Sequence, residues 1–271
     1  MGRRASQSRD ALLFCTLLAL RIDLNADVGE SSGADAIGHD AGLMKSITSA
    51  SVAAGFHAGD PSVLRATIRM AKAHGVAVGA HPSFPDRAGF GRREMKVSPH
   101  EAEDFVLYQI AAVAGVAAAE GVTLQHVKPH GALFNMAMRD AELAAAIARA
   151  TAAFSSNLML FGLPDSELLK AGRAERLRVV AEAFADRAYE ADGSLVSRSK
   201  PGSVIHDASV VVARAVQMAK DGTVVSIDGT IMKLQPDTIC VHSDTPGADD
   251  LAARLRAALD AAGVAVRAIG S

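Results

Sequence analysis

Ionisable residues gather in short stretches flanked by glycine and proline, and their types limit the chemistry available. Asn25, Asp27 and Glu30 stand in NADVGE, His57 and Asp60 in GFHAGDP, and His81 in AHP. A loop with Asp86, Arg92 and Arg93 follows, then HVKPHGALFN with His126, Lys128, His130 and Asn135. Further on come Glu182, Asp186 and Arg187 in EAFADRAY, Arg198 in a long polar stretch, and His242, Ser243 and Asp244 in VHSD. Carboxylates at Asp27 and Glu30 with imidazoles at His57, His81 and His130 can act as general base and acid. The same types can hold a divalent metal that activates water, with Asp27, His57 and His81 as candidate ligands. Both readings stay open, because a proton-transfer cluster needs the same residues. Lys128, Arg92 and Arg187 offer positive charge to a carboxylate or a phosphoryl group. The sequence holds no G-x-x-x-x-G-K-[ST], no strand-linked G-x-G-x-x-G and no G-x-S-x-G.

Several of these residues also have ordinary structural uses. Asp60, directly before Pro61, reads equally as a helix N-cap. His126 alternates with Val127 on an apparent strand and reads equally as a satisfied core histidine. His74 and His100 fall on or beside helices and read as surface residues. Pro82, Pro85 and Pro129 shape loops.

The elements that must position them alternate in type. Strand patterns fall at 21–25, 47–54, 76–80, 122–127, 158–162, 178–184, 238–242 and 264–269. Helical patterns with clear ends lie between them. Asp60-Pro61 opens one that Gly75 stops, with Leu64, Ile68 and Ala71 on its apolar stripe. Ser98-Pro99-His100-Glu101 is a capping box opening another, which ends at Gly121. Further helices are expected over 207–220 and 248–262. Strands alternating with helices of this length imply parallel βαβ units. Seven or eight units point to a (β/α) barrel, with a doubly wound open sheet as the alternative. In a barrel, chemistry belongs at the C-terminal strand ends, where the ionisable residues fall. Asp228-Gly229, between two alternating runs over 224–234, signals an inserted hairpin.

Composition narrows the class. The chain has 271 residues, 28 Lys and Arg against 30 Asp and Glu, and a net charge of −2. With no basic excess to neutralise phosphates, nucleic acid is not an expected partner. Cys15 and Cys240 cannot build the disulfide framework of a small secreted protein. Residues 1–20 differ from the rest: Arg3, Arg4 and Arg9 precede an apolar run at 11–20, the layout of a secretory leader. The run falls short of the roughly 20 apolar residues that span a bilayer, and no A-x-A site follows it. The expectation is a disordered or dispensable extension over 1–20 and a single cytoplasmic domain over 21–271, with no membrane partner.

IDLNADVGES, AGFHAGDPSVL, GAHPSFPDRAGFGRREM, HVKPHGALFN, EAFADRAYEADGSLVSRSKPGSVI and CVHSDTPGA, in this order from Ile22 to Ala268, resemble the LamB/YcsF family. The resemblance implies a seven-stranded, TIM-like (β/α) barrel of the glycoside hydrolase/deacetylase type. It also implies cleavage of 5-oxo-L-proline to L-glutamate coupled to ATP hydrolysis, with Mg2+-ATP as co-substrate and separate 5-oxoprolinase B and C subunits as partners. The expected catalytic residues are Asp27, Glu30, His57, His81, Lys128 and His130. Asn25, Asp60, Arg92, Asn135, Glu182, Asp186, Arg187, Arg198, His242 and Asp244 are expected to bind substrate or phosphate. The family usually has Cys at the positions of Ala26 and Ala54, Asn at Ser51 and Gly at Ser243; the two alanines argue against an essential thiol nucleophile, Ser51 against a role for an amide there, and Ser243 bears on the loop beside Asp244. Two other functions fit the same residues: a stand-alone metal-dependent amide hydrolase or deacetylase, and a non-catalytic subunit that binds 5-oxoproline for its partners.

Overall fold

The computed structural model describes residues 20–31, 37–242 and 247–270. The expectations for the run at 11–19, for Ser243 and for Asp244 lie outside them. The alternating pattern forms β1 (Arg21–Val28), α1 (Ile37–Leu43), β2 (Ser49–Ala53), α2 (Pro61–His74), β3 (Ala77–His81), α3 (Pro99–Ala119) and β4 (Leu124–Val127). Then come α4 (Gly131–Ala137), α5 (Ala141–Phe154), β5 (Met159–Gly162), α6 (Glu167–Ala174), β6 (Arg178–Phe184) and α7 (Ala208–Asp221). The hairpin β7 (Thr223–Val225) and β8 (Ile231–Lys233) precedes β9 (Thr238–His242), α8 (Ala248–Ala261) and β10 (Ala265–Val266). β1 to β6 pair in parallel in sequence order, and β9 pairs with both β6 and β1. That last contact closes a seven-stranded barrel and rules out an open doubly wound sheet.

Most strand ends fall within two residues of the pattern, and the two largest departures are at the first and last strands. β1 runs on to Val28 instead of stopping at Asn25, because Asp27 points into the barrel as part of the strand. The apolar stretch at 264–269 contributes only β10, which pairs with Arg21 and Ile22 below the ring.

Helix ends follow local chemistry. Asp60 accepts the Ser62 and Val63 N–H groups, and Gly75 ends α2 with φ 68°, a left-handed turn that suits a residue without Cβ. Ser98 and Glu101 cap α3 reciprocally. By length and composition alone α3 could cross a membrane, but Val106, Ile110 and Val113 pack it against the barrel.

Strand parity divides β1 between two environments. Ile22, Leu24, Ala26 and Val28 join the main apolar core, shared with the helices. Asp23, Asn25 and Asp27 bond to residues on, or just beyond the ends of, other strands across the barrel interior. Branched aliphatics usually fill such an interior; here Met159, Phe161, Val180 and Ile269 form a small separate apolar cluster, and much of the remainder is polar. Gly79 makes room for the His126 ring, since a Cβ there would lie 2.2 Å from its Cδ2 and Nε2.

Candidate active site

The barrel mouth collects side chains from the C-terminal ends of β1 to β4. Asp27 is the last inward residue of β1. Gly29, with φ 68°, then turns the chain, and its N–H donates to Asp40 Oδ2 at 2.8 Å, which pins the turn that presents Glu30. His57 follows β2, His81 ends β3, and Lys128 and His130 follow β4 on either side of Pro129. Glu30 Oε1 lies 2.9 Å from His57 Nε2, 3.1 Å from His130 Nδ1 and 3.6 Å from His81 Nε2. His81 Nε2 lies 2.9 Å from His130 Nδ1 and 3.4 Å from Asp27 Oδ2. The His57 and His130 rings stack with centroids 3.8 Å apart.

Two of these rings are anchored from behind. His81 Nδ1 donates to the Lys128 carbonyl at 2.7 Å, and His130 Nε2 donates to the Phe90 carbonyl at 2.9 Å. Phe90 has a left-handed backbone, φ 55°, uncommon for a bulky residue. Gly91 packs against the rings so closely that a Cβ would lie 2.9 Å from His130 Cδ2 and from His57 Cβ.

A second group surrounds Lys128. Its Nζ lies 2.6 Å from Glu182 Oε1, 2.9 Å from Asp27 Oδ1, 3.0 Å from Asn25 Oδ1 and 3.0 Å from Cys240 Sγ. An ammonium has three protons, so the two carboxylates and the amide account for all of them. Asn25 Nδ2 in turn donates to Glu182 Oε1 at 3.0 Å and to Thr238 Oγ1 at 2.7 Å. Across the mouth, His242 Nδ1 lies 2.7 Å from Asp186 Oδ2, and its ring stacks on Phe184.

Charge neighbours overcome burial at most of these groups. Burial works to raise the Asp27 carboxyl, yet His81 and then Lys128 hold it well below the usual range. Burial likewise opposes ionisation of Glu30, and its contacts with the His130 and His57 imidazoles outweigh it. Burial lowers His57 to about 4, so that ring is neutral at pH 7. His81 moves the other way, because Asp27 more than offsets its burial. Lys128 is buried too, but Asp27 leads the neighbours that hold its ammonium charged. Burial raises Glu182, which shares that one cation with Asp27.

A cavity of about 570 Å³ opens over these groups. Asp27, Glu30, His81, Lys128, His130 and His242 border it, together with exposed Arg92, Asn135, Arg139, Arg198 and Lys200. His57 contacts the site through Glu30 and His130. Asn25 and Glu182 lie deeper, holding Lys128, and Asp186 acts through His242. Arg187 borders the cavity, but its Nε and Nη2 donate to the Ser203 and Val196 carbonyls at 3.2 and 2.7 Å, which orders the long loop after β6.

Asp60 caps α2 and does not border the cavity. His126 lies within the barrel, 3.2 Å from Ser51 Oγ and stacked on Phe161. His74 bonds the Met70 carbonyl, and His100 is 85% exposed on α3. Ala26 and Ala54 pack against the apolar core, away from the polar interior.

Sequence reasoning did not single out four contributors, among them Lys200 on the long loop after β6. Cys240 shares strand parity with His242, a signal that was available. Phe90 contributes only its carbonyl, and Arg139 follows α4 with no motif around it; neither leaves a trace in residue type.

Residues 22–271 match the LamB/YcsF family. The A subunit of 5-oxoprolinase from Chloroflexus aggregans is 57% identical over 248 residues, 92% of this chain and 98% of that one. Its counterpart from Bordetella pertussis, also an A subunit of 5-oxoprolinase, is 51% identical over 247 residues, 91% of this chain and 98% of that one. The crystal structure of a lactam utilization protein from Thermus thermophilus superposes with a TM-score of 0.87 at 50% identity, covering 92% of this chain and 100% of that one.

Proposed function

The chain belongs to the LamB/YcsF family, and from that premise we propose that it is the component of an ATP-dependent 5-oxoprolinase that opens 5-oxo-L-proline to L-glutamate, in company with B and C subunits. The observation that carries this reading is the identity of 57% and 51% to two 5-oxoprolinase A subunits over more than nine-tenths of the chain. The mouth supports it, because it combines buried acid–base groups with a cationic rim.

A five-membered lactam is a resonance-stabilised amide with a poor leaving group. Transfer of the terminal phosphoryl group of ATP to the lactam oxygen forms an O–P bond, breaks the bond to ADP and leaves an imidate-like carbon. Water adds to that carbon, and the ring C–N bond breaks as nitrogen takes a proton. A second water hydrolyses the resulting acyl phosphate to glutamate and phosphate.

Arg92, Arg139, Arg198 and Lys200 offer the charge that a transferring phosphoryl group requires. Asp27 is held ionised, and His242 is oriented by Asp186 (Nδ1 to Oδ2, 2.7 Å); these two are the proton carriers. Glu30, His81 and His130 converge on the cavity where the attacking water is held. Lys128 keeps Asp27 ionised, since contact with the phosphoryl group would require exchanging one of its three partners.

The test is 5-oxoproline-dependent phosphate release with and without the B and C subunits. The expected result is release only in the full mixture. Turnover by the isolated chain without ATP would instead establish a stand-alone hydrolase. Turnover by the mixture that is indifferent to Asp27→Asn would leave this chain a binding component.

A further inference from the structure

We infer that Glu30, His57, His81 and His130 form a binding site for one divalent transition-metal ion of the zinc class. The reasoning begins with proton positions. The Lys128 and Phe90 carbonyls can only accept, so the protons on these rings lie on His81 Nδ1 and His130 Nε2. The opposite nitrogens, His81 Nε2 and His130 Nδ1, therefore present lone pairs to each other at 2.9 Å. Glu30 Oε1, a third acceptor, stands 3.1 and 3.6 Å from them.

Three converging acceptors in a buried pocket repel one another unless a cation lies among them. A single added proton, on His81 Nε2 or on His130 Nδ1, can be directed along only one of these contacts and leaves another pair of acceptors facing each other. One metal ion satisfies all three. His57 completes the set: its Nε2 is 2.9 Å from Glu30 Oε1, and its buried Nδ1 has no hydrogen-bond partner. Without a metal the Glu30 carboxylate, which can only accept, keeps the proton of this ring on Nε2; metal binding moves it to Nδ1, where no side chain competes for it.

The dimensions agree. Metal–nitrogen bonds of about 2.0–2.1 Å in a tetrahedron place ligand atoms roughly 3.3–3.4 Å apart. The observed separations of 2.9, 2.9, 3.1 and 3.6 Å bracket that edge, and all four ligand atoms lie within 4.8 Å of one another. Backbone carbonyls behind His81 and His130 are the partners that orient metal-ligating imidazoles and set their tautomer. Three imidazoles and one carboxylate suit zinc, cobalt, iron or nickel; calcium and magnesium take oxygen ligands.

Asp27, Cys240 and His242 also lie close together, but the Lys128 ammonium sits 2.9 Å from Asp27 Oδ1 and 3.0 Å from Cys240 Sγ, where it opposes a second cation. Glu30, His81 and His130 border the cavity, so a metal here can take a water or a carbonyl oxygen as a further ligand.

The test uses the full untagged chain, stripped with chelator and titrated with Co2+ in the absence of 5-oxoproline, ATP and partner subunits. Its outcome is therefore independent of the proposed lactam chemistry. The expected result is one equivalent per chain, with the intense visible absorption of tetrahedral Co2+, displaced by one equivalent of Zn2+. His81→Ala and His130→Ala should each weaken binding at least tenfold. Glu30→Gln, which keeps the side-chain shape, should do so without loss of the cooperative melt, which guards against misfolded variants. Binding below half an equivalent would overturn the inference. So would binding that survives Glu30→Gln and His130→Ala but is lost in Cys240→Ser.

Discussion

Asp23 and Asp27 occupy the same face of the same strand, one at the floor of the barrel and the other at its mouth. Around Asp23 the donors are neutral: Thr48 and Ser49 hydroxyls at 2.7 Å and the Thr238 hydroxyl at 2.5 Å. Around Asp27 they are ionisable: Lys128 at 2.9 Å and His81 at 3.4 Å. The consequence is opposite. Burial raises the Asp23 carboxyl, and hydroxyls beginning with Thr238 restore only part of the shift; Asp27 is driven well below the ordinary range although it is buried as well. Buried side-chain atoms without a hydrogen-bond partner include His57 Nδ1, Glu182 Oε2 and Asp186 Oδ1, and none of these residues bonds Asp23 directly. A closed network builds a floor, whereas an incomplete one leaves valences for chemistry.

Substitution can break that contrast, and the largest effect is expected at Asp27. Asp27→Asn should lower turnover of the assembled enzyme by about 10²–10⁴, the range for loss of a positioned acid–base group. Asp23→Asn should leave turnover per folded molecule unchanged. Equal losses from both would show that the two ends are not functionally distinct.

Next is Lys128→Met, which leaves Asp27 and Glu182 facing each other without their cation. Chemical denaturation should show a loss of about 3–5 kcal/mol, the cost of breaking a buried ion pair. Stability equal to that of the parent would instead show that the ammonium is not committed to Asp27 and Glu182, and would return Lys128 to direct contact with the reacting group.

Between the two ends, Gly79→Ala drives a Cβ to 2.2 Å from the His126 ring and should cost about 1–3 kcal/mol by the same measurement.

The smallest effect sharpens the floor alone. A carboxyl raised in the folded state binds more protons there than in the unfolded chain, so its contribution is complete below the unfolded value of 3.8 and is lost as pH rises through the folded value. Urea unfolding across that window should show a downward slope from Asp23 of at most about 1.4 kcal/mol per pH unit. Asp23→Asn should remove it. An unchanged slope would mean that the Asp23 carboxyl is not raised.

The contrast also marks what was legible beforehand. Strand and helix order was readable because outward strand faces and helix stripes are apolar, and because Asp60, Ser98 and Gly75 are chemically explicit ends. The end of β1 was not: Asp27 looks like loop chemistry, and only barrel closure gives a polar residue a buried inward place. Lys128, Glu182 and Asn25 were recognisable as ionisable or polar groups near strand ends, but their common contact spans three strands and no spacing encodes it. Convergence of Glu30 with His57, His81 and His130 depends on four separate strand ends, and on a carbonyl from Phe90 that any residue type could supply.

The polar filling of the barrel has a consequence for how such a chain can change over time. Aliphatic interiors drift by interchanging Leu, Ile and Val, because volume is nearly all that matters. Here the inward positions of β1, β2, β6 and β9 are joined donor to acceptor, as in Asp23 with Ser49 and Thr238, or Asn25 with Thr238 and Glu182. A change at one such position strands a buried partner, so tolerated variation must arrive in matched sets, and single-step exploration of the interior is largely closed.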